Sequence, residues 1–436
     1  MKKKRALFLT LILFISGIFA FTLTGCNLFL RAQDSNYPYD VAVKNGYTGT
    51  EASWIASQYG AGSRERKLYE EAKADGYQGT FVDFLKEIGG TQNSTASVNE
   101  ALASVVSIKT DTAWGAGVIY SLDKNTGDAL IVTNYHVVYG KNGISTKIGV
   151  SLYGENHNNP AMSATYYGGA AEYDLALIRI KGSERLKETE NNTVYAKEAS
   201  FADSDSITVG EQVYAIGNPD GQGISATGGI VSVDAEKIQV ERADAGGRYT
   251  YGTTVELWEI RMDAAVNHGN SGGGLFNADG DLVGIVNARS EDAGIVGFGY
   301  AIPANFAKAV VENVIDNYSD ADGKVKLAAI GFEFTARESK GIYNEELSKY
   351  FKEEKIVVDK VASSSGFKYN DTLIKAVRVS ANGEREELDI IREHMLDTFV
   401  LGIRQGDTVV FTISRDGELM DKEIVFANAS QFSAVS

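Results

Sequence analysis

The chain has 436 residues, 44% of them hydrophobic and 23% charged, which supports conventional folded domains and room for about three of them. The formal net charge is −16, and with Lys2, Lys3, Lys4 and Arg5 gathered at the N-terminus the rest of the chain is more acidic still. Such a surface repels phosphate backbones and excludes nucleic acid as a natural partner.

MKKKR forms a basic start, and the run ALFLTLILFISGIFAFTLTG that follows is apolar for about 20 residues. Together they predict an export signal over residues 1–25, with basic residues held inside and the remainder sent outside. The signal ends in LTGC, Leu23 to Cys26, which resembles the bacterial lipobox. The resemblance implies that Cys26 becomes the lipidated first residue of the mature protein. Cys26 is the only cysteine, so no intrachain disulfide can form. An apolar run retained as a transmembrane anchor is the other reading. Both readings tether the chain to the outer face of a bacterial membrane.

Residues 26–97 read as a tether. Segments 42–57 and 72–87 match, with Gly46, Tyr47, Gly49, Thr50 and Trp54 corresponding to Gly76, Tyr77, Gly79, Thr80 and Phe84. Thr50 and Thr80 have the character of helix N-caps. Two short helical repeats are expected, serving as a spacer or docking module, followed by a flexible linker, GGTQNSTAS, at 89–97. From 98 to 320 short β-branched and aromatic runs alternate with Gly, Asn and Asp turns, the pattern of an all-β barrel or sandwich. A helix is expected over 302–319. The last segment, 325–430, mixes strands with one helical stretch at 385–401, an α+β pattern.

Four histidines occur: His136, His157, His268 and His394. Nucleophilic serine chemistry needs a base for the hydroxyl proton and a carboxylate to orient that base. His136 lies where the apolar run ALIVTNYHVV ends, and Asp174 begins the run DLALIRI. Ser271 sits in the glycine-rich stretch NHGNSGGG. The order His, Asp, Ser is that of the chymotrypsin type. Gly269 meets the first demand of an α/β-hydrolase elbow, but the residues after Ser271 read as strand, turn, strand. The histidines are far apart and the one thiol lies in the signal, so no metal site and no cofactor are expected.

VTNYHVV, DLALIRI, VYAIGNPDG, GGIVSV, DAAVNHGNSGGGLFNADGDLVGIV and GFGYAIP resemble, in order and spacing, the HtrA/Deg family of trypsin-like serine proteases. The resemblance is dense over 98–318 and weaker over 325–430, which is similar to the family's PDZ domain. It implies a chymotrypsin-like double β-barrel, then an α+β PDZ domain, and with the helical repeats read above the chain is expected to be mainly β with a small helical repeat region at its N-terminal side. It also implies that His136 is the general base, Asp174 its orienter and Ser271 the nucleophile. The backbone N–H groups of Gly269 and Ser271 would form the oxyanion hole. Ala265, Val266, Gly299, Tyr300 and Ala301 would line an uncharged primary pocket suited to small or medium aliphatic residues. Ile330, Gly331 and Phe332 would capture a peptide carboxylate, with the helical stretch 385–401 forming a groove and His394 on it either facing solvent or contacting ligand.

The resemblance therefore implies a membrane-tethered extracytoplasmic serine endopeptidase acting on misfolded or exported proteins, with a homotrimer as its assembly. A proteolytically silent PDZ-bearing chaperone or scaffold is the alternative. Four positions depart from the family pattern. His268 replaces a frequent proline and reads as a solvated loop residue, or as a modifier of the oxyanion peptide. Gly274 replaces proline or alanine and predicts a more mobile loop. Ala116 replaces serine, a neutral change. Asn270 replaces the aspartate of digestive relatives, which removes activation by N-terminal clipping.

Overall fold

The computed structural model describes residues 94–435 apart from 112, 141, 190–193, 244–248, 288–296, 319–322, 345–348 and 363–364, together with 69, 72–74, 76–79 and 84. The predicted signal, Cys26 and the first repeat (42–57) lie outside the described residues. In the unit ending at Asn93, the rings of Tyr69, Tyr77 and Phe84 meet with centroids 5.6 to 6.3 Å apart, and Phe84 is buried. Among the described residues, no helix is long and apolar enough to cross a membrane.

The second unit opens with helix α1, Ser94–Leu102, so the final residues of the expected linker are helical. Ala101 and Leu102 are buried in the central apolar cluster, and that burial stabilises a helix whose polar first turn argued for a loop. Six strands follow: β1 (Val105–Lys109), β2 (Trp114–Asp123), β3 (Asp128–Thr133), then, past helix α2 (Tyr135–Val138) and the short pair β4 (Tyr139–Gly140) and β5 (Gly143–Ile144), β6 (Ile148–Ser151), β7 (Met162–Ala170) and β8 (Leu175–Ile180). They close into a barrel in the order β1-β2-β3-β8-β7-β6, with β6 pairing back onto β1.

A second closed barrel comprises β9 (Gln212–Gly217), β10 (Ser225–Ala243), β11 (Tyr249–Met262), β12 (Gly274–Asn277), β13 (Leu282–Asn287) and β14 (Gly299–Pro303). Its order from β9 is first, second, third, sixth, fifth, fourth, the same as the first barrel. Closure leaves neither barrel an open edge. The mainly β, double-barrel architecture expected from the sequence is present.

Helix α3, Ala304–Asp316, follows the second barrel. It buries Ala307, Val310, Val311 and Val314 at helical spacing in a cluster that also takes in residues of both barrels and Leu401. Beyond it lie β15 (Lys326–Ala328), β16 (Phe332–Asn344), β17 (Lys349–Val361), β18 (Thr372–Val379), β19 (Arg385–Asp389), helix α4 (Glu393–Leu401), β20 (Thr408–Arg415), β21 (Glu418–Val425) and β22 (Phe432–Ala434). The main sheet runs β16-β17-β18-β20-β21, with β19 on β18, and β15 pairs β22.

The stretch 385–401 is therefore not one helix. Ser380 and Glu384 close a turn in which Gly383 has φ +89°, and this sets Arg385–Asp389 in register with Lys375–Val379. Hairpin pairing overrides the helical spacing of those five residues.

Candidate active site

The first barrel supplies a histidine and an aspartate from neighbouring loops. β3 ends at Thr133, and His136 lies in the single turn α2. Asp174 occupies the left-handed position, φ 48°, that ends the short turn before β8. Its carbonyl accepts from the Tyr135 N–H and from Asn134 Nδ2, each at 3.0 Å. Its carboxylate, almost fully buried, accepts the His136 N–H through Oδ1 at 3.0 Å and meets His136 Nδ1 through Oδ2 at 2.7 Å. A carboxylate on Nδ1 stabilises the tautomer with its proton there, leaving Nε2 as the basic nitrogen.

The second barrel supplies the serine, on the loop between β11 and β12. The Ser271 carbonyl accepts from the Ala116 N–H at 2.9 Å, and the Gly272 N–H donates to Val286 O at 2.9 Å. Gly272 has φ +82°, and a Cβ there would collide with Thr133 Oγ1 and Ala116 O. The loop is thus pressed against the residues that lead directly into His136. Only a glycine permits both that backbone angle and that approach.

Gly269 has φ +93°. Its carbonyl accepts from the Asn218 N–H at 3.2 Å, and the His268 carbonyl accepts from the Asp220 N–H at 2.6 Å. In a planar trans peptide the N–H points opposite the carbonyl. Fastening His268 O to Asp220 therefore turns the Gly269 N–H away from the 218–220 turn. Asn218, with no exposed surface, holds that turn in place. Its Nδ2 donates to Ser107 Oγ at 2.8 Å and to Gly115 O at 3.3 Å, and its Oδ1 accepts the Gly223 N–H at 2.8 Å. The sequence displays this clamp as NPDG, an obvious turn, but gives no sign that its asparagine reaches across to the first barrel.

Of the expected pocket residues, Val266 and Gly299 lie together, with Ala265 next to Val266 in the chain. Val266 occupies the space a Gly299 side chain would need, and the Ala265 carbonyl accepts from Thr227 Oγ1 at 2.7 Å. Tyr300 and Ala301 pair with Arg261 and Ile260 in the barrel wall, and Ala301 belongs to its apolar core. His268 is exposed at its side chain. Gly274 does not loosen the loop: it is a buried residue of β12, where the Phe276 ring and Leu282 occupy the space of a side chain.

In the C-terminal domain, Ile330, Gly331 and Phe332 stand at one end of a groove of about 490 Å³ between β16 and α4. Lys237 and Trp258, from the β10–β11 ribbon, also line it. His394 is not solvent-facing. It is buried on α4 with Nε2 3.2 Å from Asp205 Oδ1, its ring against Trp258. Burial alone would raise the Asp205 carboxyl, but the His394 hydrogen bond and charge hold it below its ordinary value. Sequence reasoning missed this contact because the partner lies almost two hundred residues upstream.

The description "Trypsin-like peptidase domain" matches residues 115–285, a span that contains His136, Asp174 and Ser271. Serine protease Do-like HtrA of Bacillus subtilis is 30% identical over 357 residues, 78% of this chain and 70% of that one. The chain belongs to the Do-like HtrA family of serine proteases. Do-like HtrA of Lactococcus lactis subsp. lactis is 29% identical, over 77% of this chain and 74% of that one. Do-like HtrB of Bacillus subtilis is 32% identical over 60% of this chain, which spans about half (52%) of that relative. A solved structure described as "HtrA-type protease AlgW with tripeptide" is similar at 23% identity and a TM-score of 0.46, covering 76% of this chain and 96% of that one. The trypsin-like domain of this HtrA-family chain is a serine endopeptidase domain.

Proposed function

We infer that this protein is a membrane-tethered, extracytoplasmic serine endopeptidase that degrades misfolded or exported proteins by acyl-enzyme chemistry. Ser271 Oγ attacks the scissile carbonyl while His136 Nε2 takes its proton. Asp174 stabilises the imidazolium that forms, and the Gly269 and Ser271 N–H groups receive the oxyanion. His136 then returns the proton to the leaving amine, and water repeats the cycle on the acyl-serine. The observation that carries this reading is the two-point grip of the buried Asp174 on His136, because a carboxylate aimed at Nδ1 has no evident purpose in a silent barrel.

The C-terminal domain is read as a PDZ domain that captures peptide C-termini at Ile330–Phe332. An edge strand beside a helix, with a left-handed glycine at the mouth of the groove, supports this. The lipobox-like LTGC at Cys26 supports a lipid anchor, and the family resemblance supports a homotrimer. Ser271→Ala is expected to abolish casein hydrolysis and labelling by a fluorophosphonate probe. Unchanged hydrolysis in that variant would overturn the assignment and favour a scaffold.

A further inference from the structure

Strand β16 pairs with β17 along one edge and leaves the other open to the groove. The register with β17 shifts after Glu333 by an extra residue on β17, and shifts again only after Ala336. From Phe332 to Ala336, β16 therefore alternates without interruption, and the N–H groups of Phe332, Phe334 and Ala336 share the open edge. The Ala336 N–H is already taken. It donates to Glu393 Oε2 at 2.8 Å, a side chain from the first turn of α4. Glu393 Oε1 in turn accepts from Lys237 Nζ at 2.5 Å, and the Glu393 N–H donates to Glu354 Oε2 at 3.0 Å. The Glu393 residue is only 8% exposed. Its carboxylate is thus pinned across the open edge, one alternation beyond Phe334.

We propose that Glu393 is a length stop in this groove, and so a specificity-determining residue. The inference rests on the reading that the groove takes peptide C-termini as an added strand. A chain entering from the Gly331 end finds the backbone groups of Phe332 and Phe334 open to it. At Ala336 it meets a filled hydrogen-bond position and a carboxylate. The groove therefore recognises about the last three residues of a C-terminus, with apolar contacts from Phe332, Phe334 and Val400, and adds no backbone pairing for a longer chain.

The test uses the full chain carrying Ser271→Ala, to prevent cleavage. Fluorescein-labelled peptides of three and six residues share an Ala-Ala-Phe C-terminus, with C-terminally amidated versions as controls. In the otherwise unaltered chain, both free-carboxylate peptides are expected to bind with Kd values within twofold. Adding Glu393→Ala frees the Ala336 amide, and the six-residue peptide is then expected to bind about three- to tenfold more tightly than the three-residue one. Glu393→Gln keeps an acceptor at that position and is expected to restore length-independence. A six-residue peptide that already binds tenfold more tightly before Glu393 is altered would overturn the length stop alone, whatever the variants do. Failure of either free-carboxylate peptide to bind better than its amide would overturn the C-terminus reading, and the length stop with it.

Discussion

Gly269, like Gly272, is a doubly constrained residue of the serine loop. Its φ of +93° is costly for a side chain, and a Cβ would strike Asn218 O, the carbonyl of the residue that fixes the neighbouring turn. On the proposed mechanism, in which the Gly269 N–H receives the oxyanion, Gly269→Ala is expected to rotate the 268–269 peptide, withdraw that donor and lower kcat by about 10²–10³ with little change in KM. Steady-state cleavage of a peptide substrate, with circular dichroism to confirm folding, checks this. Asn218 is the less visible partner. It is one buried side chain that joins β1, β2 and the turn after β9, so the geometry of the serine loop depends on the first barrel as well as the second. Gly274 teaches the opposite lesson. Reading it as a source of mobility assumed that glycine meant freedom, whereas in β12 it makes room for a phenylalanine ring.

Helix α4 meets the β10–β11 ribbon through paired polar groups. Trp258 Nε1 donates to Asp397 Oδ2 at 2.7 Å, and Lys237 pairs with Glu393. Burial pushes the Asp397 carboxyl up to about 6. The Trp258 hydrogen bond and the Lys237 and His394 charges act against burial, and the Glu393 charge acts with it. Because the folded pKa is raised, the folded protein holds this proton more tightly than the unfolded chain does. The associated stabilisation is present below about pH 4 and is lost as pH rises to about 6. Asp397→Asn, which does not titrate, is expected to match the parent near pH 4 and to exceed its stability at pH 7 by about 3 kcal/mol. Urea denaturation across that range measures the difference. Equal pH dependence in both proteins would show that Asp397 does not carry it.

Across the whole molecule, the central cluster that contains α1 and α3 extends into both barrels and reaches Leu401 and Val435 of the C-terminal domain. Asn313 of α3 reinforces this, donating to Lys326 O and Leu401 O at 2.9 Å each. Arg392 is a second tie. Nearly buried, it pairs with Asp234 at 2.7 Å and lies 3.7 Å from Glu354. Arg392→Ala leaves Asp234 without its cation, whereas Glu354 keeps Lys352 at 2.6 Å, and the change is expected to cost about 1.5–3 kcal/mol. Thermal and urea unfolding of the full chain, with hydrogen exchange localising the loss to α4 and the β10–β11 ribbon, tests it. Loss confined to the first barrel would contradict the assignment.

Short runs such as LALIRI and LVGIVN, each nearly all buried, announced barrel strands, because period and β-branching are local properties that burial on both faces preserves. The pairing of His136 with Asp174 was legible for a related reason: the chemistry proposed for them restricts residue type, and the glycine at 272 is imposed by backbone crowding beside Ser271. What the sequence by itself determined was thus the double barrel and the serine-peptidase class of its domain. Only the tertiary structure decided that Asn218 fastens the turn against the serine loop, that His394 is buried against Asp205 and Trp258, that residues 385–389 leave the helix for a strand, and that Glu393 crosses the open edge of β16. Each depends on groups brought together by chain closure or by a neighbouring strand. A hydrogen bond across such a distance has no period and leaves no pattern in the residues between its ends.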